Sequence, residues 1–395
     1  MRVALVLAEN YPPGTAAARR VQAFAAGLQR GGTDVVVIGA PPKGVPAGQS
    51  RRGVDSVGVS YVLAGDVNFA HASHWKRFLR RPWVLQRVVA DELEKAPVDL
   101  VLVYGHWWYL NQAVHRWCRR RGLPVVSDCT EWWRFSLETR YAYLDTLLFR
   151  RLLFPRVSGV VAISRVWEEH ARRKAIPVVR VPAVLLPGAE AEAPVPPLPS
   201  GPFVVTYVGV MYRRDLPLTL LAGLRAVVHR GVDVRLVVIG RTDLFSLAAR
   251  CRALAMATPE LAGRVEFTGR VSDEELKRRL AATHALVLMR ADDWVSRACF
   301  PTRLPEFLLT GRPVITSAVG DVTLYLKQGH DAWLLAPGDQ PDALADALAT
   351  LANDPVLARK IGAAGRATAL GAFTAESHMQ RLQPFLQRLA GKAGR

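Results

Sequence analysis

Short apolar runs alternate with longer amphipathic stretches along the whole chain. The apolar runs are roughly four to seven residues long and rich in Val, Ile and Leu, which is typical of strands buried on both faces of a parallel sheet. The predicted strands are 2–8, 34–39, 57–62, 99–104, 124–127, 158–163, 203–209, 234–240, 264–268, 285–289, 312–317 and 332–335. The predicted helices are 15–30, 82–95, 109–121, 136–153, 165–174, 215–230, 243–257, 272–282, 302–310, 321–328, 340–352, 354–370 and 374–390. This alternation predicts an α/β protein whose parallel sheets are covered by helices on both faces.

One segment interrupts the alternation and predicts a domain boundary. Residues 186–202 contain six prolines in seventeen positions, a density that excludes a helix or a central strand. We therefore expect a first domain at 1–185, a hinge, and a second domain at 203–372, with a last helix at 374–390 that packs back on the first domain. Parallel sheets of this kind bind ligands at the carboxyl ends of their strands, so the two domains are expected to face each other across a cleft.

Composition narrows the class of partners. The chain has 395 residues, of which half are hydrophobic and 22% are charged, which is enough apolar material for packed cores. Lys and Arg number 52 against 34 for Asp and Glu, and the resulting net charge of +18 favours anionic partners. No helix-turn-helix, zinc-finger or RNA-recognition motif accompanies this charge, so we expect no nucleic-acid partner. A basic nucleic-acid-binding protein is kept as the less favoured alternative.

Other features concern the location of the protein. No apolar run reaches the ~18–20 residues that span a bilayer, and the opening residues read as a buried strand and not as a signal peptide. The four cysteines are far apart and predict reduced thiols, so we expect a soluble, cytoplasmic protein. Arginines and aromatic residues cluster at 74–83, 117–121 and 132–135. These clusters predict either peripheral contact with an anionic membrane, or helices with solvated arginines and buried tryptophans.

Three predicted strands of the second half end in glycine followed by a basic residue. Gly209 is followed by Arg213 and Arg214, while Gly240 and Gly269 are each followed directly by an arginine, Arg241 and Arg270. Glycine permits close approach of the backbone to a ligand, and a guanidinium binds a phosphate through two parallel hydrogen bonds. One such unit indicates little, because its arginines can equally be solvated side chains. Three units at one sheet edge predict a diphosphate site.

The densest motif lies between residues 299 and 315. Pro301 and Thr302 open a predicted helix and Gly311 ends it, which places Glu306 in the first turns, where a carboxylate can bind ribose hydroxyls or simply face solvent. This stretch resembles the donor helix of retaining GT-B glycosyltransferases of family 4, whose pattern reads roughly P-[ST]-K-[LIVMF]-x-E-[YF]-x-x-x-G-x-P-V-I. The matching positions are Pro301, Thr302, Arg303 (for Lys), Leu304, Glu306, Phe307, Gly311, Pro313, Val314 and Ile315.

The resemblance extends over essentially the whole chain and is strongest from about residue 204 to 338. It implies a GT-B fold of two Rossmann-like domains. It also implies transfer of a sugar from a nucleotide diphosphate sugar to a hydroxyl of a glycan, a lipid-linked sugar or a small molecule, usually with retention and without a metal or other cofactor. Such enzymes serve cell-surface polysaccharide, glycolipid or metabolite biosynthesis. The donor residues it implies are Gly14, Gly209, Arg213, Arg214, Gly240, Arg241, Arg270, Val271, Thr302, Arg303 and Glu306. Among them Arg213, Arg214 and Arg303 would neutralise the diphosphate, and Glu306 would bind the ribose.

Three positions depart from the pattern of this family. Many members carry two glutamates eight positions apart; Glu306 matches the second of them, and Ala298 stands in place of the first. The glycine loop usually has an arginine directly after its glycine, where this chain has Val210. Arg303 replaces the usual lysine and keeps its charge. These departures concern the choice of donor and leave open a nucleotide-binding scaffold without turnover.

The first domain offers three candidates for contact with the acceptor or the donor sugar. Asp128 and Glu131 follow the predicted strand at 124–127, and His106 follows the strand at 99–104, so all three are expected at the carboxyl edge of the sheet. Each can accept the proton of the acceptor hydroxyl or orient the sugar, although His106 is equally consistent with a structural histidine. The neighbouring pair Asp292 and Asp293 is interpreted as a surface turn and not as a metal site.

Overall fold

A computed structural model of the protein describes residues 1–12, 15–40, 52–63, 89–136, 139–188, 200–240, 246–338 and 340–393. The chain divides into two compact units. Unit 1 comprises Met1–Ala189, Ala298–Thr302 and Phe373–Arg395, and unit 2 comprises Glu190–Arg297 and Arg303–Ala372. Of the predicted hinge at 186–202, residues 189–199 lie outside the described residues.

Unit 1 is built on a sheet of eight strands. They are β1 (Arg2–Asn10), β2 (Asp34–Ala40), β3 (Arg52–Val54), β4 (Ser60–Leu63), β5 (Leu100–Tyr104), β6 (Val125–Cys129), β7 (Gly159–Ala162) and β8 (Val178–Arg180). Their order is β3-β4-β2-β1-β5-β6-β7-β8, and every neighbouring pair is parallel except β3 with β4. The helices include α1 (Ala16–Arg30), α2 (Trp108–Arg119), α3 (Arg140–Leu148) and α4 (Arg165–Arg173). One π-helical turn, Phe149–Leu153, continues α3.

The strand β1 shows why this sheet is covered on both sides. Val3, Leu5 and Leu7 belong to one buried apolar cluster, whereas Ala4 and Val6 belong to another. Because successive side chains of a strand point to opposite faces, the sheet has an apolar core on each face. This agrees with the continuous apolar run from which β1 was predicted.

Unit 2 is built on a sheet of six parallel strands. They are β9 (Phe203–Val208), β10 (Val234–Ile239), β11 (Val265–Gly269), β12 (Ala285–Leu288), β13 (Val314–Ser317) and β14 (Trp333–Leu335). The helices are α5 (Pro217–His229), α6 (Ser246–Ala257), α7 (Asp273–Ala281), α8 (Trp294–Ala298), α9 (Leu304–Leu309), α10 (Pro341–Asn353) and α11 (Pro355–Ala372). The strands lie in the order β11-β10-β9-β12-β13-β14. From β9 to β11 the chain therefore adds strands towards one edge of the sheet, and from β12 to β14 it adds them towards the other edge, so that the order reverses between β9 and β12. In sheets of this kind the crevice beside such a reversal, at the carboxyl ends of the strands, is where ligands bind.

The last helix, α12 (Ala375–Ala393), belongs to unit 1. Its Met379, Leu382, Phe385, Leu386 and Leu389 are buried in the apolar cluster that also contains Val3 and Leu5 of β1. Gly159 of β7 permits this packing, because an added Cβ would come within 2.5 Å of the Leu389 side chain. The C-terminal helix thus completes the core of unit 1.

The prediction of parallel-sheet α/β units is confirmed, with several local corrections. The strand β3 is antiparallel to β4, and neither β3 nor β8 was predicted. The helix predicted at 321–328 is wrong: the structure has a short 3-10 segment, Gly320–Leu324, after which the main-chain N–H of Lys327 donates to the Asp331 carboxylate and starts a turn. The helix predicted at 302–310 begins two residues later, at α9.

Candidate functional site

Three glycines lie next to one another at the carboxyl edge of the sheet of unit 2. The Gly209 N–H donates to the Ile239 carbonyl at 2.9 Å, and the Gly240 N–H donates to the Gly269 carbonyl at 2.9 Å. Gly240 has a φ of +140°, and a Cβ on it would lie 1.9 Å from the carbonyl oxygen of Gly209. Only glycine fits at position 240, because the two strand ends approach each other so closely there.

The loop after β9 is organised by Asp215. A 3-10 turn, Arg213–Asp215, returns the chain, and the Asp215 carboxylate accepts hydrogen bonds from the Tyr207 hydroxyl at 3.0 Å and the Tyr212 N–H at 3.2 Å. The Tyr207 hydroxyl in turn accepts from the Met211 N–H at 3.1 Å. These bonds fix the loop from its glycine to the start of α5. Asp215 was not a candidate at the sequence level.

The loop after β12 is connected to the loop after β9. The Ala291 N–H donates to the Arg214 carbonyl at 2.7 Å, and the Arg290 guanidinium forms an ion pair with the Asp215 carboxylate. The Arg290 N–H donates to the Ser317 hydroxyl at 2.9 Å. The loops after β9 and β12, which carry Arg214 and Arg290, are therefore joined to each other where the strand order reverses.

Positive charge converges on this point. Burial raises the pKa of the Tyr207 hydroxyl, while the positive charges of Arg290, Arg214 and Arg303 act to lower it. Three guanidinium groups from three separate loops thus act on one phenol. The Arg303 guanidinium also lies 3.6 Å from the Glu306 carboxylate, and each of these side chains is about one third exposed. Guanidinium groups are able to bind phosphorylated anions through paired hydrogen bonds.

The other predicted donor residues lie at varying positions. Arg213 is exposed in the turn before α5, and Arg270 is exposed after the edge strand β11, with Val271 half-buried beside it. Thr302 is grouped with unit 1, whereas Arg303 and Glu306 belong to unit 2. Gly14 and Arg241 lie outside the described residues. The arginine cluster at 74–83 lies outside them as well.

In unit 1 the structure gives Asp128 a buried partner. The Asp128 side chain has no exposed surface, and its two oxygens accept from Arg20 Nε and Nη2, each at 2.8 Å. The same guanidinium donates to the carbonyls of Val181 and Pro182. Arg20 thereby joins α1, β6 and the segment after β8. A carboxylate enclosed in this way stabilises the fold. It is poorly placed to take a proton from the hydroxyl of an acceptor substrate.

His106 lies in a different environment. It is 2% exposed and stacks on Trp107 with ring centroids 5.4 Å apart, and neither of its ring nitrogens has a hydrogen-bond partner among the described residues. Burial lowers the pKa of His106 to about 4, although the Glu131 carboxylate acts in the opposite direction. The ring is neutral at physiological pH, with one N–H donor and one acceptor nitrogen. Asn111 fixes the preceding turn by donating to the Gly105 and Trp107 carbonyls, each at 3.0 Å.

Glu131 and Tyr104 complete the polar residues at this edge. The Glu131 carboxylate accepts from Trp133 Nε1 at 3.1 Å and is half-buried. Burial and then the Glu131 charge raise the pKa of the Tyr104 hydroxyl. The Glu131 charge thus acts on both His106 and Tyr104. Tyr104 was not a candidate at the sequence level.

Ala298 and the pair Asp292 and Asp293, which the sequence analysis singled out, have the following contacts. Ala298 is fully buried, and its carbonyl accepts from the Ser164 hydroxyl at 2.7 Å. Asp292 is bound by both Nε and Nη2 of Arg297, and the Asp293 carboxylate accepts from the Ser296 N–H at 2.7 Å near the start of α8. No cluster of three or more His, Cys, Asp or Glu side chains with metal-ligand geometry occurs in the described residues.

Comparisons with known proteins show what this chain is similar to. The family model "Glycosyl transferase 4-like domain" matches residues 15–189, and "Glycosyl transferases group 1" matches residues 202–354. The D-rhamnosyltransferase WbpZ of Pseudomonas aeruginosa is 30% identical over 177 residues, which are 44% of this chain and 42% of that protein. The match therefore spans less than half the length of this curated relative.

Solved structures resemble the chain over its full length. A sucrose-phosphate synthase from Thermosynechococcus elongatus has a TM-score of 0.76 at 19% identity and 99% coverage of both chains. Anabaena HepE, solved in complex with UDP-glucose, has a TM-score of 0.69 at 15% identity, with 98% of this chain and 99% of that chain covered. Among the described helices, none combines the length and apolar composition required to cross a membrane. Two family models covering most of the chain, together with this shared fold, show that the protein belongs to the GT-B glycosyltransferases.

Proposed function

We propose that the protein transfers a sugar from a nucleotide diphosphate sugar to a hydroxyl of an acceptor, with retention, in the synthesis of a cell-surface polysaccharide, a glycolipid or a glycosylated metabolite. The observation that carries this proposal is the close approach of Gly209 and Gly240 at the strand reversal of unit 2, beside the joined loops that carry Arg214 and Arg290. Solved relatives with UDP-glucose and the rhamnosyltransferase name of the curated relative support the same class of substrate.

The chemistry of this transfer fits the charges of the site. The bond between the sugar C1 and the diphosphate oxygen breaks, and its electron pair goes to that oxygen. The acceptor oxygen forms the new bond to C1, and its proton passes to the leaving diphosphate. Negative charge therefore develops on the diphosphate, where guanidinium groups stabilise it. Since these groups supply the positive charge, we expect EDTA to leave the rate unchanged.

Each donor residue has a proposed role in this site. Gly209 and Gly240 leave the strand ends bare, so that the backbone can approach the phosphates. Arg214 and Arg303 neutralise the diphosphate, with Arg213 at the exposed rim of the turn. Glu306 binds the ribose hydroxyls, as a carboxylate in the first turn of α9.

The acceptor side of the reaction is assigned to unit 1. His106 has two buried ring nitrogens without partners in the described part of the chain, which suits hydrogen bonds to sugar hydroxyls. Its lowered pKa makes it a poor base, so we assign it to orientation of hydroxyl groups. Glu131 is the half-buried carboxylate beside it, and Asp128 holds the local structure through Arg20.

A nucleotide-binding screen tests this proposal. Thermal shifts of the full chain are measured with UDP, GDP, ADP, TDP and CMP, for the wild type and for Arg214→Ala and Glu306→Ala. We expect stabilisation by one diphosphate that both variants abolish, whereas Arg235→Ala, an exposed arginine of β10, keeps it. Donor hydrolysis and transfer with that nucleotide then separate an enzyme from a binding scaffold. Absence of a shift with every nucleotide contradicts the proposal.

An anionic membrane is a proposed peripheral partner. Phe135, Tyr141, Leu144 and Leu152 are large apolar side chains that are 38–66% exposed, and they lie among the arginines of the segment from Arg134 to Arg156. Exposed rings beside cations suit the headgroup region of a bilayer. Sedimentation with anionic liposomes tests this, and we expect weaker sedimentation after Arg134, Arg140 and Arg151, three exposed arginines of this segment, are each changed to Glu. Equal sedimentation of variant and wild type contradicts it.

A further inference from the structure

Arg150 lies over an indole ring at the carboxyl edge of the sheet of unit 1. Its guanidinium carbon is 3.8 Å from the centroid of the Trp132 ring. Trp132 comes shortly after β6, and it packs on Trp167, which comes shortly after the neighbouring strand β7, with ring centroids 4.6 Å apart. This is the edge at which parallel sheets bind ligands. Arg150 itself belongs to the π-helical turn Phe149–Leu153, an irregularity that is frequent at functional sites.

The guanidinium of Arg150 has no counter-charge in the part of the chain that the structure describes. Arg121 makes a similar ring contact, 4.2 Å above Trp117, and the Glu94 carboxylate neutralises it by an ion pair. Arg150 has the ring contact but forms no ion pair or side-chain hydrogen bond with the described residues, and its Nε is enclosed without a partner. The side chain is nevertheless only half-buried, so that part of it reaches solvent. One arginine on a tryptophan is thus paired and the other is not.

The surroundings make the charge of Arg150 unfavourable. Burial and then the charge of Arg151 lower the pKa of the Arg150 guanidinium to about 10; Arg134 acts in the same direction and Tyr143 against it. Arg150 in turn acts on His170, whose pKa is lowered to about 4 by burial first and by this charge second. A partly buried cation without a counter-charge costs free energy of folding. An anion bound at this point would offset that cost.

A phosphate group is the anion that suits this arrangement. A guanidinium binds phosphate through two parallel, charge-assisted hydrogen bonds while one of its faces stays on an aromatic ring. Because the side chain is partly buried, salt screens its attraction for an anion less than it screens an exposed arginine. Leu152, in the same π-helical turn, is 43% exposed, so an apolar part of a phosphorylated ligand would also find a contact there.

We infer that the Arg150 guanidinium, held on Trp132, binds a phosphate group of a ligand of unit 1; that this ligand is the acceptor rests on the proposed function. Trp132 directly follows Glu131, the half-buried carboxylate assigned to the acceptor side. The phosphate site is therefore continuous along the chain with that assignment. The expected acceptor is a phosphorylated molecule, and the phosphate is that of a soluble sugar or of a lipid.

Fluorine NMR of the full chain labelled with 5-fluorotryptophan tests this at the site itself. The resonances of Trp132 and Trp117 are identified through Trp132→Phe and Trp117→Phe. The probes are glucose 1-phosphate and dihexanoylphosphatidic acid below its micelle-forming concentration, which carry a phosphate monoester on a sugar and on a lipid. Glucose and dihexanoylphosphatidylcholine are their counterparts. We expect at least one phosphate monoester to move the Trp132 resonance to saturation and to leave Trp117, whose arginine is paired, in place.

Two variants of Arg150 and one matched control complete the test. Arg150→Gln is expected to weaken binding by about 10-fold or more, the range of a charge-assisted hydrogen bond. Arg150→Met keeps an apolar chain over the ring, and it decides the question should Arg150→Gln fail to fold. Arg121→Gln removes the paired arginine from its own tryptophan and is expected to change the affinity by less than about 2-fold.

The outcomes separate this inference from the proposed function. Tighter binding of the lipid identifies a lipid phosphate, and equal or tighter binding of the sugar phosphate identifies a soluble one. A Trp132 resonance that neither phosphate moves overturns the inference, as do equal movement with the uncharged or zwitterionic counterparts and equal affinity of wild type and Arg150 variants. An equal loss in Arg121→Gln overturns it too. Thermal shifts with nucleotide diphosphates report on unit 2: their absence overturns the proposed function and the identification of the acceptor, whereas the response of Trp132 still decides the phosphate site.

Discussion

The buried ion pair between Arg20 and Asp128 yields the sharpest prediction about unit 1. Both side chains are at most 2% exposed, and the guanidinium donates two bonds of 2.8 Å to the carboxylate and two more to backbone carbonyls. Arg20→Met removes all four bonds and leaves a fully buried carboxylate without its cation. Loss of one partner of such a pair costs about 3–5 kcal/mol of unfolding free energy.

Urea unfolding followed by tryptophan fluorescence measures this loss. Eight of the ten tryptophans lie in unit 1, so the fluorescence change reports mainly on that unit. The matched control is Arg173→Met, because Arg173 pairs with Glu169 on the surface of α4, where the two side chains are 76% and 57% exposed. Exposed helix pairs of this kind contribute about 0.3–0.5 kcal/mol.

A double variant separates charge from packing. Arg20→Met together with Asp128→Leu removes both charges, and we expect it to regain at least half of the lost stability, since apolar replacement of a buried ion pair is often neutral. If the unfolding free energies of Arg20→Met and Arg173→Met differ by less than about 0.5 kcal/mol, the Arg20–Asp128 pair does not stabilise unit 1. Asp128 would then return as a candidate base.

Two other predictions concern the buried histidines of unit 1 and Gly240 of unit 2. Burial lowers the pKa of His106 and of His115 to about 4, so the unfolded chain binds more protons than the fold between pH 6.5 and 4, and stability falls as the pH falls through that window. Melting temperatures from pH 7.5 to 4.5 check this, and His115→Gln is expected to reduce the dependence; an unchanged slope contradicts the assignment. Gly240→Ala is expected to cost about 1–3 kcal/mol and to abolish the nucleotide shift, because its Cβ would overlap the Gly209 carbonyl. Gly371→Ala in α11, with open space around its Cβ, is the control, and a preserved nucleotide shift in Gly240→Ala contradicts the role of close approach.

The strands were predictable because most of them are continuous apolar runs buried on both faces. The strand β3 was not, since its three residues, Arg52–Val54, alternate between exposed and half-buried and show no apolar run. The stretch at 321–328 has the apolar spacing of a helix, but its hydrogen bonds are those of a 3-10 segment that ends at Leu324. The local hydrophobic pattern thus identifies strands that are buried on both faces. It is less reliable where tertiary contacts decide between similar backbone conformations.

The candidate site was predictable only in part, for the same reason. Glycines and basic residues after strands mark Gly209, Gly240 and Arg214 from local sequence alone. Asp128 also followed a strand, yet its partner Arg20 lies 108 positions away, and nothing in the local sequence distinguishes a paired carboxylate from an available one. The role of a strand-end residue therefore depends on which distant residues the fold brings next to it.

Arg290 shows this dependence most clearly. It follows the run Leu286–Met289, so a strand-then-arginine signal was present, but that run lacks the glycine that marked the other three loops. Its ion pair with Asp215 forms because the strand order reverses, which makes β9 and β12 neighbours although they are about 80 residues apart. The local pattern of neither loop predicts this contact, because it depends on which strands the fold places side by side.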